Sequence, residues 1–209
     1  MMNSIWSMVR GTVKGFLPFY LFTFLLLLSC SSDNSEDEDE FANWEQRNDA
    51  AVSQWAANSS LRKIKCFTKD QTTGGTNNDY IYVEVLEESA GTESPLFSDS
   101  VWVAYRGRLI PTASSPKGLI FDESYSGDFS WRTADMAKFC TGALVSGFTT
   151  ALMQMHPGDR WLVHIPYHLG YGSSSKTSIP GYSNLIFDIA LLDFWHPGES
   201  RPEFKARQE

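Results

Sequence analysis

A single stretch of helical periodicity, set between two groups of strand-like segments, constrains this chain more than any other feature. Leu144, Phe148, Leu152 and Met155 recur at i, i+4, i+8 and i+11, and His156-Pro157-Gly158-Asp159 stops the pattern. The predicted helix is short and apolar on one side. Before it, residues 80–86 alternate aromatic or β-branched residues with others. Residues 101–109 place Val101, Val103 and Tyr105 on one face and Trp102, Ala104 and Arg106 on the other. After it, residues 161–165 and 185–194 read as strands. Strands, one central helix, then strands again imply an α+β fold, an antiparallel sheet wrapped around one helix.

The connections carry turn chemistry. Gly74-Gly75-Thr76-Asn77-Asn78 is a turn or loop, residues 88–96 form a second loop containing Gly91 and Pro95, and residues 111–118, with two prolines and two adjacent serines, make an excursion from the sheet. Ahead of the strands, Asn43-x-x-Gln46 reads as a helix start, with Asn43 as N-cap and Gln46 reaching back. Trp44, Ala51, Val52 and Trp55 then recur at helical spacing, and Asn58-Ser59-Ser60 ends the run. The apolar stripe must pack on its own domain, on a second copy or on a partner. Its own domain is the default.

With 209 residues the chain has room for one sizeable core plus appendages. The net charge of −8 is unevenly spread, because Asp33, Glu36, Asp37, Glu38, Asp39 and Glu40 crowd into one tract. From Phe41 onward 19 acidic residues face 15 basic ones with no basic stripe, which excludes a nucleic-acid partner. His164 and His168 have Pro166 between them and no Cys or carboxylate to complete a ligand set, so no metal is expected. No phosphate loop, dinucleotide fingerprint or Gly-x-Ser-x-Gly is present, and no cofactor is expected.

The start of the chain reads as targeting. Arg10 and Lys14 precede an apolar run over residues 16–28, and these 13 residues fall short of the ~20 that a membrane-spanning helix needs. Leu27-Leu28-Ser29-Cys30 resembles the lipobox of bacterial lipoproteins, which implies a signal peptide over 1–29 and a lipidated Cys30 anchoring the protein to a membrane. Residues 30–40 form an acidic tether, since a tract without hydrophobes cannot offset its ordering entropy. The tract also resembles an acidic export signal of surface-exposed lipoproteins, with a plain solvated spacer as the equal alternative. The expected location is the cell envelope, at the outer membrane, with surface exposure admitted. For Cys66 and Cys140 the sequence leaves open a disulfide or two free cysteines.

Within residues 101–192 a series of short motifs occurs in one order: Val103-Ala104-Tyr105-Arg106-Gly107-Arg108-Leu109, Phe121-Asp122-Glu123-Ser124, Ser146-Gly147-Phe148, Pro157-Gly158-Asp159-Arg160, Ile165-Pro166, Gly170-Tyr171-Gly172, Ile179-Pro180 and Leu185-Ile186-Phe187-Asp188. Together they resemble the FKBP-type peptidyl-prolyl cis-trans isomerases. The resemblance implies an FKBP-like curved antiparallel sheet around one short central helix, with an N-terminal helical extension. The expected layout is an N-terminal helix and linker over 41–79, the isomerase domain over 80–196 and a polar tail over 197–209.

The same resemblance assigns roles. Tyr105, Phe121, Phe129, Phe148 and Phe187 would form an aromatic pocket with Phe148 as its floor, a position where many members have Trp. Val145 would offer its backbone N–H to a substrate carbonyl, Leu144 would line the pocket beside it, Tyr171 would donate its hydroxyl, and Ile179 would close the rim. Asp122 matches the family's pocket carboxylate. The loops at 111–118 and 171–179 would border the groove. Expected partners are proline-containing polypeptides, macrolide inhibitors, the membrane through the lipid anchor, and a second copy in a homodimer through the N-terminal helix. The alternative is an FKBP-like peptide-binding or chaperone module of low catalytic power.

Overall fold

A computed structural model describes residues 40–200. The expected signal peptide, Cys30, the tether up to Asp39 and the end of the polar tail lie outside the described residues.

Seven strands form one sheet in the order β1-β2-β6-β7-β3-β4, with β5 beside β3. They are β1 (Arg62–Lys65), β2 (Tyr80–Glu87), β3 (Ser100–Arg108), β4 (Ile120–Glu123), β5 (Ala137–Cys140), β6 (Arg160–Ile165) and β7 (Leu185–Trp195), and every pairing is antiparallel. One edge of β3 is divided: β5 pairs with Ser100–Val103 and β4 with Arg106–Arg108. Register shifts in β2 and β3 supply the local bends that curve such a sheet. β1 lies in the segment expected to be a linker. Its Arg-Lys-Ile-Lys sequence hides a strand because charge on an edge strand is how sheets discourage further pairing.

Among the described residues two α-helices serve this sheet, α1 (Trp44–Ala57) and α2 (Ser146–Leu152). Val101, Val103, Val163, Ile165, Leu185, Ile189 and Leu191 turn inward on alternating positions and are buried together with Leu152 and Met155. α2 is not half-exposed as its periodicity implied. Six of its seven residues are buried, including Thr149 and Thr150, whose hydroxyls donate to the carbonyls of Thr141 (2.7 Å) and Ser146 (2.7 Å). A β-carbon on Gly147 would stand 2.3 Å from Ile165 Cγ2, so glycine there permits the close helix–sheet approach.

α1 packs on its own domain. Asn48 and Asn184 are fully buried and joined by two bonds, both donated by Asn184: its N–H donates to Asn48 Oδ1 (2.8 Å) and its Nδ2 donates to the Asn48 carbonyl (2.7 Å). Trp44 Nε1 donates to Ser183 Oγ (2.8 Å), and Val52 is buried. Trp55 lies 4.9 Å from the His164 ring and 6.3 Å from that of Tyr82, which are cross-strand partners. Packing on its own domain, the default for this stripe, is thus what the structure shows. The helix bounds agree with the sequence but its cap does not: Asn43 is left-handed (φ 51°) and makes no side-chain capping bond. Arg47 secures this end, donating to the carbonyls of Glu40 (2.8 Å) and Pro111 (3.0 Å).

Cys66 is buried under α2, its sulfur 3.3 Å from Thr150 Oγ1, while Cys140 is exposed on β5; both are free. The open alternative resolves to two thiols.

His164 makes the fold acid-sensitive. Its Nδ1 is buried without a hydrogen-bond partner, and burial lowers its pKa to about 4. The fold therefore favours the neutral ring, which is fully populated above the unfolded pKa of about 6.5. Stability is lost as pH falls from there toward 4, by about 2 kcal/mol at pH 5. Urea unfolding of wild type and His164→Phe at pH 7.5 and 5 checks this: the variant should lose markedly less stability on acidification.

Candidate active site

β3, β7, β4, β5 and the segment entering α2 converge on an open cavity of about 450 Å³. Its wall is a connected set of rings. Phe148, 3% exposed, meets Phe187 at 4.9 Å and Tyr105 at 6.3 Å, both nearly perpendicular. Phe121 meets Phe187 at 5.4 Å and 89°, and Tyr105 meets Phe139 at 5.6 Å. Edge-to-face contacts of this kind add to what burial contributes and fix each ring's tilt. Gly107 makes the closure possible. It pairs with Phe187 on one side and Asp122 on the other, and a β-carbon there would lie 2.5 Å from the Phe121 ring and 2.6 Å from that of Phe187.

Polar groups stand at few places around this apolar hollow. Tyr105 hydroxyl donates to Asp122 Oδ2 at 2.8 Å. Burial first, then this bond and the charge of Asp122, push the Tyr105 pKa well above the ordinary tyrosine range, so the phenol keeps its proton. Tyr105 N–H in turn donates to Ser124 Oγ (3.0 Å), and Ser124 Oγ donates to the Asp135 carbonyl (2.9 Å), which ties the Phe121-Asp122 strand to β3. Val145 occupies the N-cap of α2 in an extended conformation (φ −58°, ψ 145°), and its carbonyl accepts from Thr149 N–H. Its own N–H is one of the donors a helix start leaves outside the intrahelical ladder. Tyr171, 38% exposed, stands at the mouth, with Lys176 Nζ 5.4 Å from its ring centre. Lys176 and Ile179 pair backbone to backbone at 2.8 and 3.2 Å, so the turn carrying Thr177 and Ser178 is a braced rim.

Nine of the ten residues singled out in the sequence line this cavity: Tyr105, Phe121, Asp122, Leu144, Val145, Phe148, Tyr171, Ile179 and Phe187. Phe129 does not. It packs in a second cluster with Tyr125 (5.5 Å) and Trp131 (5.1 Å), under the Arg160 guanidinium at 4.2 Å. Arg160 is itself held by Asp188 through two bonds of 2.9 and 2.7 Å, and alternation puts Asp188 on the face of β7 opposite Phe187. The ring expected from Phe129 comes from Phe139. The signal for it was Ala137-Lys138-Phe139-Cys140, where an outward Lys138 turns Phe139 inward. Ala143, Lys176, Thr177 and Ser178 also line the site. The loop 111–118 does not border it; Thr112 and Ser114 bond to Glu40 instead. Among the described residues no group of three or more metal-ligating side chains occurs.

Residues 91–192 match the family model described as FKBP-type peptidyl-prolyl cis-trans isomerase. Rat peptidyl-prolyl cis-trans isomerase FKBP9 is 36% identical over 124 residues, covering 58% of this chain and 20% of the relative. FkpA of Escherichia coli K12, an FKBP-type peptidyl-prolyl cis-trans isomerase, is 32% identical over 127 residues, covering 61% and 42%. The chain thus spans less than half the length of these curated relatives. The crystal structure of E. coli FkpA superposes with a TM-score of 0.54 at 25% identity, covering 84% of this chain and 70% of that one. A peptidyl-prolyl cis-trans isomerase structure from Pseudomonas syringae, at 22% identity and TM-score 0.54, covers 74% of this chain and 95% of that one and shares the fold. Residues 91–192 of this chain are thus an FKBP-type peptidyl-prolyl cis-trans isomerase domain.

Proposed function

We propose that this domain accelerates rotation about X-Pro bonds in exported polypeptides, and that the ring-walled cavity is where the bond turns. The barrier to be lowered, ~18–20 kcal/mol, comes from partial C–N double-bond character, so neither nucleophile nor cofactor is required. Water stabilises the planar, polar amide more than the twisted one. A hollow walled by Tyr105, Phe121, Phe139, Phe148 and Phe187 removes that water. Lowering the barrier by about 5–6 kcal/mol corresponds to roughly four powers of ten in rate.

The polar groups divide the remaining work. Val145 N–H and the Tyr171 hydroxyl hold the flanking substrate carbonyls. Asp122, fixed by the Tyr105 hydroxyl, faces the twisting carbonyl with its charge and favours the bond in its rotated state. The observation that carries this reading is the convergence of five rings on one cavity with Asp122 at its wall. Magnetisation-exchange NMR on a short X-Pro peptide tests it, with a macrolide inhibitor as competitor. Exchange no faster than the uncatalysed rate, with peptide binding retained, would leave only a binding module.

Tyr171→Phe is expected to lower kcat/KM about fivefold, the equivalent of one hydrogen bond of about 1 kcal/mol, with stability unchanged because the ring is at the mouth. Unaltered kinetics would remove the hydroxyl from the mechanism.

The lipobox-like Leu27-Leu28-Ser29-Cys30 supports membrane anchoring at the cell envelope. Cys30→Ala should shift the protein from the membrane fraction to the soluble fraction and abolish labelling by radioactive palmitate.

A further inference from the structure

Beside the cavity lies an apolar surface that isomerisation of a short peptide does not need. Leu96 is 56% exposed, Phe97 50% and Phe67 36%, and the two phenylalanine rings lie 5.6 Å apart. Phe97 also lies over Gly142, where a β-carbon would come within 2.5 Å of its ring. The next three residues, Ala143, Leu144 and Val145, all line the cavity. The exposed platform and the cavity therefore share one continuous length of backbone.

The platform is held in place. Buried Asp99 accepts from Leu96 N–H through Oδ2 (2.8 Å), and its carbonyl accepts from Thr141 N–H (2.8 Å) and Thr141 Oγ1 (3.1 Å). Phe67 N–H donates to Thr150 Oγ1 of α2 (3.3 Å). A ligand settling here meets a surface whose ordering cost was met on folding.

We propose that Phe67, Leu96 and Phe97 bind apolar side chains flanking the target proline, so that the preferred substrate is an extended, unfolded hydrophobic chain rather than a short peptide. This rests on the reading of the cavity as the prolyl site. Continuity with the cavity rim favours the substrate chain as occupant, because a folded partner or second copy seated on Phe97 would stand over the rim through which the proline enters. An unfolded chain, unlike a folded surface, offers exposed apolar side chains on both sides of a proline in extended form.

The test uses full-length wild type, Leu96→Ser and Phe97→Ser, the first at the more exposed position so that folding is retained. Two quantities are read: affinity for a permanently unfolded, reduced and alkylated polypeptide, and kcat/KM on an X-Pro tetrapeptide. Each variant should bind the unfolded chain about tenfold more weakly, the loss expected for one well-buried apolar side chain, while the ratio of chain affinity to tetrapeptide kcat/KM falls by a similar factor. An unchanged ratio in both variants overturns the proposal. Wild type that fails on the tetrapeptide yet loses chain binding on substitution sinks the isomerase reading and leaves the platform standing. Self-association of wild type in sedimentation, abolished by both substitutions, assigns the surface to a second copy and overturns the proposal.

Discussion

Phe148→Ala is expected to cost about 3–5 kcal/mol of stability and to reduce isomerase activity further than any substitution at the cavity mouth. Phe148 is nearly fully buried and touches both Phe187 and Tyr105, so removing its ring opens the floor beneath the site and frees two wall rings from their edge-to-face partner. Water then enters the place where the amide must shed it. Loss of stability alone would also depress activity, so the informative control is Leu152→Ala, an equally buried residue of α2 that does not line the cavity. Denaturant unfolding and NMR exchange on both variants, below their transition temperatures, separate the effects. Comparable stability losses with activity lost only in Phe148→Ala support a desolvating floor. Equal residual activity in the two would place the chemistry elsewhere.

Asn184→Ala should also damage the fold, at about 2–4 kcal/mol, although it removes no apolar contact of note. Asn184 Nδ2 donates to the Asn48 carbonyl and Asn184 Oδ1 accepts from Tyr167 N–H at 2.8 Å. Truncation leaves the buried Tyr167 N–H ahead of the Tyr171 loop without its acceptor, at about 1–3 kcal/mol, and takes from the Asn48 carbonyl a bond made in addition to its intrahelical one, at about 1 kcal/mol. An exposed pair such as Arg62–Glu88, 3.2 Å apart with side chains 48% and 64% accessible, is the opposite case, and Arg62→Ala should cost under about 1 kcal/mol. Urea midpoints distinguish the two, and hydrogen exchange should show α1 amides opening first in Asn184→Ala. Similar, small effects in both variants would mean that α1 is an appendage and not part of the domain.

Both predictions bear on residues of unequal legibility in the sequence. Phe148 could be read from helical spacing and from its motif. Asn48 could not: a polar residue on an otherwise ordinary helix carries no local sign that a partner 136 residues away will bury it. The same holds for Glu40, which belongs to an acidic tract by composition yet receives the Thr112 and Ser114 hydroxyls in the structure.

Local chemistry sufficed for what is periodic. Alternation in β2, β3, β6 and β7, the i, i+4 spacing that enters α2, and the stop at His156-Pro157-Gly158-Asp159 set the elements and their order, because a strand or helix shows its faces in the spacing of its own residues. Alternation names two faces without saying which one meets the cavity. That choice needs strand pairing, and it separated Phe139, turned inward by its register with β3, from Phe129, drawn to the far side of the sheet by Arg160 and its partner Asp188. Likewise no spacing could show that Cys66 faces α2 while Cys140 faces out, or that the loop at 111–118 closes on Glu40 instead of the groove. These outcomes are set by contacts between residues distant along the chain, and their energies exist only once the sheet has brought those residues together.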